Sequence, residues 1–224
     1  MIPWELLDSA RVPESGEEMR LYRRGAEYSI RVDEYELMNS RAHYSEDLLA
    51  EIACERLGNR PDLRILIGGL GMGYTVSAAL KRLGASGRVV VAEIVPAVVD
   101  WNMGIIAGLA GSPLKDARVS VRKADVALIM RERRGAYDAI LLDVDNGPAG
   151  LTRKDNIWLY QPTGLAAAYE ALRPGGMLAI WASGPDKAFV KLMRHAGFIA
   201  EELSAKRVPR GGGKHTIWLA RRGE

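Results

Sequence analysis

The sequence predicts an α/β protein with a doubly wound sheet, an antiparallel C-terminal strand and a small N-terminal β-hairpin region. Three observations lead there. From Arg64 onward, apolar runs alternate with stretches of helical period, the pattern of strand–helix–strand units. Runs such as Ile140-Leu141-Leu142 are continuous rather than alternating, as expected of strands covered on both faces. The last two runs, FIAEELSAK and HTIWLARR, have no helix between them and so pair antiparallel. The expected organisation is residues 1–58 as an N-terminal strand region with its following helix, and 59–224 as the main domain.

Taken in order, the first 18 residues read as a loose lead-in. MRLYRRGAEYSIRVDEYELMNS then shows short alternating runs broken at Arg24-Gly25 and Asp33-Glu34. Leu21, Tyr28, Ile30, Val32 and Leu37 mark two or three antiparallel strands. Ser45 precedes EDLLAEIACERLG, where Leu48, Leu49, Ile52, Ala53 and Leu57 share one helical face and Gly58 marks the stop. RILIG, RVVVAEI, RVSVRKAD, YDAILLDVD and MLAIWAS read as strands. Between them YTVSAALKRLG, PAVVDWNMGIIAGLAG, VALIMRER and PTGLAAAYEALRPGG read as helices, the second with Pro96 at its start and the last ending in Pro-Gly-Gly. PDKAFVKLMRHAG is the final helix.

Composition narrows the function classes. No run of about 18 apolar residues offers a membrane span, and the N-terminus lacks the basic start and apolar run of a signal peptide. The single Cys54 excludes an internal disulfide and reads as a buried small hydrophobe, so the cytoplasm is the expected compartment. A net charge of +3 is too mild to argue for nucleic acid. The basic stretch AKRVPRGGGKH has no aromatic residues to stack on bases and reads as a solvated loop.

The chemistry concentrates at strand ends. RILIG empties into Gly69-x-Gly71-x-Gly73, and glycine lets backbone N–H groups approach a ligand closely. The following strand ends at Glu93 and Ile94, placing an acid where it accepts hydrogen bonds from both hydroxyls of a ribose. The dinucleotide fingerprint needs a third glycine at its sixth position, and Tyr74 or Val76 stands there. Gly-x-Gly-x-Gly is instead the form associated with S-adenosylmethionine-type cofactors, which carry no pyrophosphate. Asp125, after the third core strand, either reaches the adenine amine or caps the next helix. Asp143 and Asp145 end the fourth core strand, and i, i+2 spacing aims both at one cleft if the strand runs that far. The alternative for Asp143 is a cap on the turn DNGP.

The succession RILIGGLGMGY, VVVAEIVPAVVDWN, YDAILLDVDNGPAG and YEALRPGGMLAIWAS resembles the class I methyltransferase fold, a Rossmann-like sheet. More narrowly it resembles the spermidine/spermine synthase (aminopropyltransferase) family over roughly residues 20 to 220. LLDVDNGP is the nearest functional match, and SRAHYSEDLLAE is similar to the family's segment before the first core strand. The resemblance implies that Gly69, Gly71 and Gly73 line the cofactor, Glu93 holds the ribose and Asp125 the adenine. It makes Asp143 the catalytic acid–base group, with Asp145 helping to hold an amine; Glu46, with Tyr44 close by, stands near the place of the family's substrate-contacting tyrosine, and Tyr160 is a further substrate-side candidate from its place in the chain. The implied donor is decarboxylated S-adenosylmethionine or S-adenosylmethionine, with no metal, a small amine as acceptor and a homodimer as the usual assembly. The chain departs from the family pattern where the glycine turn carries Gly71 and Met72 in place of an aspartate, and where Val95 replaces a second acid.

Two alternatives stand beside aminopropyl transfer: an S-adenosylmethionine-dependent small-molecule methyltransferase, and a nucleoside-binding relative without catalysis. The remaining candidates are lesser ones. His43, His195 and His215 lack metal-ligand spacing; His43 lies in the segment that approaches the cleft, His195 at a helix end and His215 in a strand. Trp158 and Tyr160 either cover the site as a lid or pack. Ser183 has no assignable histidine partner, which disfavours a hydrolase triad.

Overall fold

A computed structural model describes residues 2–13, 15–58, 60, 62–144, 154–206 and 213–224, with only the backbone of 154–156. Strands β1 (Glu5–Arg11), β2 (Glu18–Arg24), β3 (Glu27–Val32) and β4 (Tyr35–Asn39) form an antiparallel sheet in sequence order, followed by α1 (Tyr44–Leu57). The main sheet contains β5 (Arg64–Gly68), β6 (Arg88–Ala92), β7 (Val119–Arg122), β8 (Tyr137–Leu142), β9 (Leu172–Ala182), β10 (Ile199–Lys206) and β11 (Lys214–Arg221) in the order β10-β11-β9-β8-β5-β6-β7. Strands β5 to β9 are parallel to one another, and β11 is antiparallel to both β9 and β10. The intervening helices are α2 (Tyr74–Arg82), α3 (Pro96–Met103), α4 (Val126–Glu132), α5 (Pro162–Ala171) and α6 (Lys187–His195). This is the doubly wound α/β sheet with the antiparallel C-terminal hairpin that the strand–helix alternation predicts.

The continuous apolar strands divide their side chains between two faces, because successive residues point to opposite sides. Ile65, Ile67, Val89, Val91 and Leu141 belong to one core cluster, with α1, α2 and α3. Leu66, Ile140, Leu142, Leu178 and Ile180 belong to the other, with α4, α5 and α6. The first cluster continues into the N-terminal sheet through Met19, Leu21 and Ile30. Cys54 is buried there, and burial pushes its thiol up to about 11, so it packs as a hydrophobe.

Three expectations are corrected. The lead-in contains β1, an edge strand paired with β2 and tied to α3 by a 2.7 Å bond from Trp101 Nε1 to Asp8. The helix expected through PAVVDWNMGIIAGLAG stops at Met103. Gly104 takes a non-helical conformation, and Trp101 and Ile106 are both buried across the turn. The helix expected to run into Arg-Pro-Gly-Gly stops at Ala171. Leu172 already pairs with Tyr137, and β9 shifts register before Met177 joins Ala139. Among the described residues, no helix is long and apolar enough to cross a membrane.

From β5 the chain moves outward through β6 and β7, then returns to the other side of β5 for β8 and β9. The strand order therefore reverses between β5 and β8. A crevice opens at such a switch point, outside the carboxyl ends of the strands. The Asp143 N–H donates to the Gly68 carbonyl at 2.9 Å, joining the two strand ends that frame it.

Candidate active site

The glycine turn follows β5 directly. Gly69 has φ +87° and Gly71 φ +51°, left-handed values that side chains resist. A Cβ at 69 would run into the Asp143 carbonyl, and one at 71 would stand 2.6 Å from the Met38 sulfur. The turn can therefore approach both β8 and the N-terminal sheet only as bare backbone. Gly73 is the N-cap of α2 and faces Asn102 and Pro113 instead of the crevice.

Glu93 lies one residue beyond β6 and is 8% exposed. Its Oε2 accepts from the Leu70 N–H at 2.9 Å and its Oε1 from the Val95 N–H at 2.8 Å. The glycine turn and the β6–α3 turn thus clamp one carboxylate. Each oxygen keeps acceptor capacity for a second donor. Asp125 caps α4, its Oδ1 accepting from the Ala127 N–H at 2.8 Å, and it also faces the crevice, so the cap leaves its contact with a ligand open.

Asp143 follows the last residue of β8. It is half-buried, and its Oδ2 accepts from the Thr75 hydroxyl on α2 at 2.8 Å. Burial pushes its carboxyl up to about 6, against the pull of that hydrogen bond. Glu46 enters from α1 and is 7% exposed. Burial, and then the charge of Asp143, push it up to about 7; its Oε2 accepts from the Ser45 hydroxyl at 2.6 Å. The charge of Asp143 thus opposes the ionisation of Glu46, and both carboxyls keep their protons to higher pH than usual.

These groups line a cavity of about 320 Å³ under the N-terminal sheet, whose Met19, Ile30, Val32, Leu37 and Met38 give it an apolar roof. Its lining carries the acids Glu17, Glu36, Glu46, Glu93, Asp125 and Asp143. It has no lysine or arginine among the described residues, and His215 is its one basic side chain. That polarity is opposite to the +3 charge of the whole chain.

Of the residues singled out from the sequence, the cavity brings together Gly69, Gly71, Glu93, Ile94, Asp125, Asp143 and Glu46. Asp145 and its Gly-Pro turn lie outside the described residues, as does most of the basic loop before β11. Gly73, Tyr44 and Tyr160 do not line the cavity. Tyr160 is buried, its ring edge-on to Phe189 at 5.6 Å, and Trp158 lies beneath the Arg131 guanidinium at 3.8 Å; both pack. His43 pairs with Asp47 at 2.8 Å and stacks on Tyr74 at 3.8 Å, away from the cavity. Ser183, Trp181, Met38, Ser45, Thr75 and His215 belong to the site or its immediate support without having been expected there. Thr75 sits in the first turn after the glycines, a place from which a hydroxyl reaches the neighbouring strand end. Nothing local to Ser45 or His215 signals their 2.9 Å contact.

The mixed seven-stranded sheet, its switch-point crevice and the four-stranded sheet over it make up a class I methyltransferase fold. Solved structures share it across nearly the whole chain. A spermidine synthase from Thermotoga maritima aligns with 97% of this chain and 73% of its own, at 17% identity and a TM-score of 0.78. A spermidine synthase in complex with the transition-state analogue AdoDATO aligns with 97% and 72%, at 16% identity and 0.77. A 1,6-didemethyltoxoflavin-N1-methyltransferase from Burkholderia thailandensis, with bound 1,6-didemethyltoxoflavin and S-adenosylhomocysteine, aligns with 81% and 80%, at 20% identity and 0.57. At these identities the likeness is one of fold. Neither a protein-family model nor a curated protein matches the chain.

Proposed function

We propose that the cavity takes an adenosine-bearing sulfonium compound, decarboxylated S-adenosylmethionine, and that the chain transfers its aminopropyl group to a small amine. The observation that carries this reading is the cavity's charge: six carboxyl groups and, among the described residues, no lysine or arginine. Such walls favour a donor with a sulfonium and an ammonium, and they penalise one that brings a carboxylate of its own. The match over 97% of this chain to spermidine synthases, roof included, supports the same donor.

In this reading Glu93 accepts from the ribose hydroxyls, Asp125 from the adenine amine, and the bare backbone of Gly69 and Gly71 lies along the donor. Asp143 takes the acceptor's proton, Glu46 faces the cationic substrates, and Asp145 helps to hold the amine. An alkylammonium has a pKa of about 10 and an ordinary aspartate about 3.9, a large gap for proton transfer. Burial narrows it by lifting Asp143 to about 6. Acceptance concerted with C–N bond formation supplies the rest. The amine lone pair forms the C–N bond, the C–S electron pair returns to sulfur, and the sulfonium loses its charge. A dry, apolar roof helps a step in which that charge disappears, and alignment of nitrogen, carbon and sulfur supplies much of the rate.

One observation favours a second reading, methyl transfer from S-adenosylmethionine to a small molecule. Gly71, backed by the Met38 sulfur, puts no carboxylate in the glycine turn, so that turn does not repel a donor carrying a carboxylate of its own. Mass spectrometry of reactions containing putrescine and either donor separates the two. Aminopropyl transfer predicts 5′-methylthioadenosine and an extended amine from the decarboxylated donor. Turnover of S-adenosylmethionine alone, with a methylated product, would replace it with the second reading.

A further inference from the structure

Ser45 and His215 stand 170 residues apart, and neither belongs to the donor-binding half of the cavity. Ser45 is fully buried at the second residue of α1. Its hydroxyl is 2.6 Å from Glu46 Oε2 and 2.9 Å from His215 Nδ1. A serine hydroxyl has one hydrogen and two lone pairs, so it can donate to one of these neighbours while accepting from the other. His215 is the second residue of β11, half-buried, with the Trp181 ring edge-on at 4.6 Å. Glu46, His215 and Asp143 line the same cavity. The chain Glu46–Ser45–His215 thus begins at the carboxyl pair and ends on an imidazole, the side chain suited to pass a proton near neutral pH.

We propose that Ser45 and His215 form the proton outlet of the active site, carrying away the proton that each transfer removes from the acceptor amine. The inference rests on the alkyl-transfer reading above. The balance is as follows. An alkylammonium acceptor gives up one proton to Asp143, its freed lone pair forms the C–N bond, and the C–S pair leaves with sulfur. The carboxyl pair then holds one proton too many for the next cycle. With that proton on Glu46, its carboxyl hydrogen passes to Ser45 Oγ while the serine's own hydrogen passes to His215 Nδ1. The result is a carboxylate and an imidazolium, and the imidazolium releases the proton to solvent. Among the described residues, Glu46 from α1 lies one hydroxyl away from His215, and Asp143 from the end of β8 lines the same cavity. Lys214 adjoins His215 on β11, and Lys206 stands opposite Lys214 on β10. Neither Ser45 nor His215 touches the donor in this scheme. They act through Glu46 and are positioning residues for the proton.

The test uses the full chain. Multiple-turnover transfer from decarboxylated S-adenosylmethionine to putrescine is followed from pH 6 to 9 in wild type, Ser45→Ala and His215→Ala. Both variants are expected to slow transfer at least about tenfold near pH 7. Added imidazole should restore His215→Ala but not Ser45→Ala, and affinity for 5′-methylthioadenosine should stay within about twofold, showing an intact fold. Wild-type rates in both variants, or slowing of His215→Ala that imidazole leaves untouched, would overturn the outlet. A second arm needs no turnover: the NMR titration of the His215 ring. Glu46→Gln is expected to lower its pKa by about one unit by removing the facing carboxylate. An unchanged titration would overturn the linkage. If wild type transfers nothing from this donor, the alkyl-transfer reading fails by itself, and the ring titration still decides whether the proton chain exists.

Discussion

The two ends of the cavity hold their carboxylates in different ways. Glu93 is fastened by backbone amides, one to each oxygen, from the glycine turn and the β6–α3 turn. Asp143 and Glu46 are held by hydroxyls, from Thr75 and Ser45. An amide N–H is a fixed donor that keeps its hydrogen. A hydroxyl rotates and can donate or accept, so a proton can move through it. In the proposed reading, one end therefore presents a rigid acceptor, and the other gains and loses a proton. Burial acts on the second end accordingly, raising Asp143 to about 6 and Glu46 to about 7.

The largest expected effect breaks the proton-handling end. Asp143→Asn keeps an acceptor for the Thr75 hydroxyl but cannot take a proton. Transfer should fall by about 10²–10⁴, while 5′-methylthioadenosine still binds. Equal loss of binding would assign Asp143 to the donor instead. At the other end, Glu93→Gln puts an NH₂ where one of two clamping amides must find an acceptor. Affinity for 5′-methylthioadenosine should drop by about 1.5–3 kcal/mol, roughly 10- to 100-fold, read by calorimetry. An unchanged dissociation constant would remove the ribose from Glu93.

A stability measurement sharpens the contrast further. Both raised carboxyls bind protons more tightly in the folded state than in the unfolded chain. Their contribution is complete below the unfolded pKa of about 4 and is lost as pH climbs through about 6 and 7. Denaturant unfolding of wild type minus that of Glu46→Gln, from pH 4 to 8, should therefore tilt against wild type by on the order of 2 kcal/mol. Subtraction cancels the titrating groups that do not feel Glu46, while Asp143 and His43, which do, stay in the difference. A flat difference would show that Glu46 is not raised.

Much of this contrast is legible in the chain, and unequally so. The donor end sits at strand tips, where a local pattern of apolar run, glycine and acid gives position and chemistry together, as at Gly69 and Glu93. The fold followed from the same alternation. What escaped notice has no local signature. Strand β1 is an exposed edge, ELLDSAR, without apolar alternation, and is held by pairing and by Asp8–Trp101. The Arg-Pro-Gly-Gly segment carries helix-stop residues, yet its backbone is taken up by β9 at an irregular register. Ser45 and His215 meet only because α1 packs against the C-terminal strands. Met38 reaches Gly71 only because the N-terminal sheet covers the crevice. Tyr160 shows the reverse error, a residue near the site in sequence that the second core absorbs.

The cavity's charge invites the most direct measurement: calorimetric titration of the chain with decarboxylated S-adenosylmethionine, S-adenosylmethionine and 5′-methylthioadenosine at one pH and salt concentration. A lining whose charged side chains are acids, His215 apart, predicts that the decarboxylated sulfonium binds most tightly, with an advantage that shrinks as salt rises. Equal or tighter binding of the carboxylate-bearing compound would contradict it.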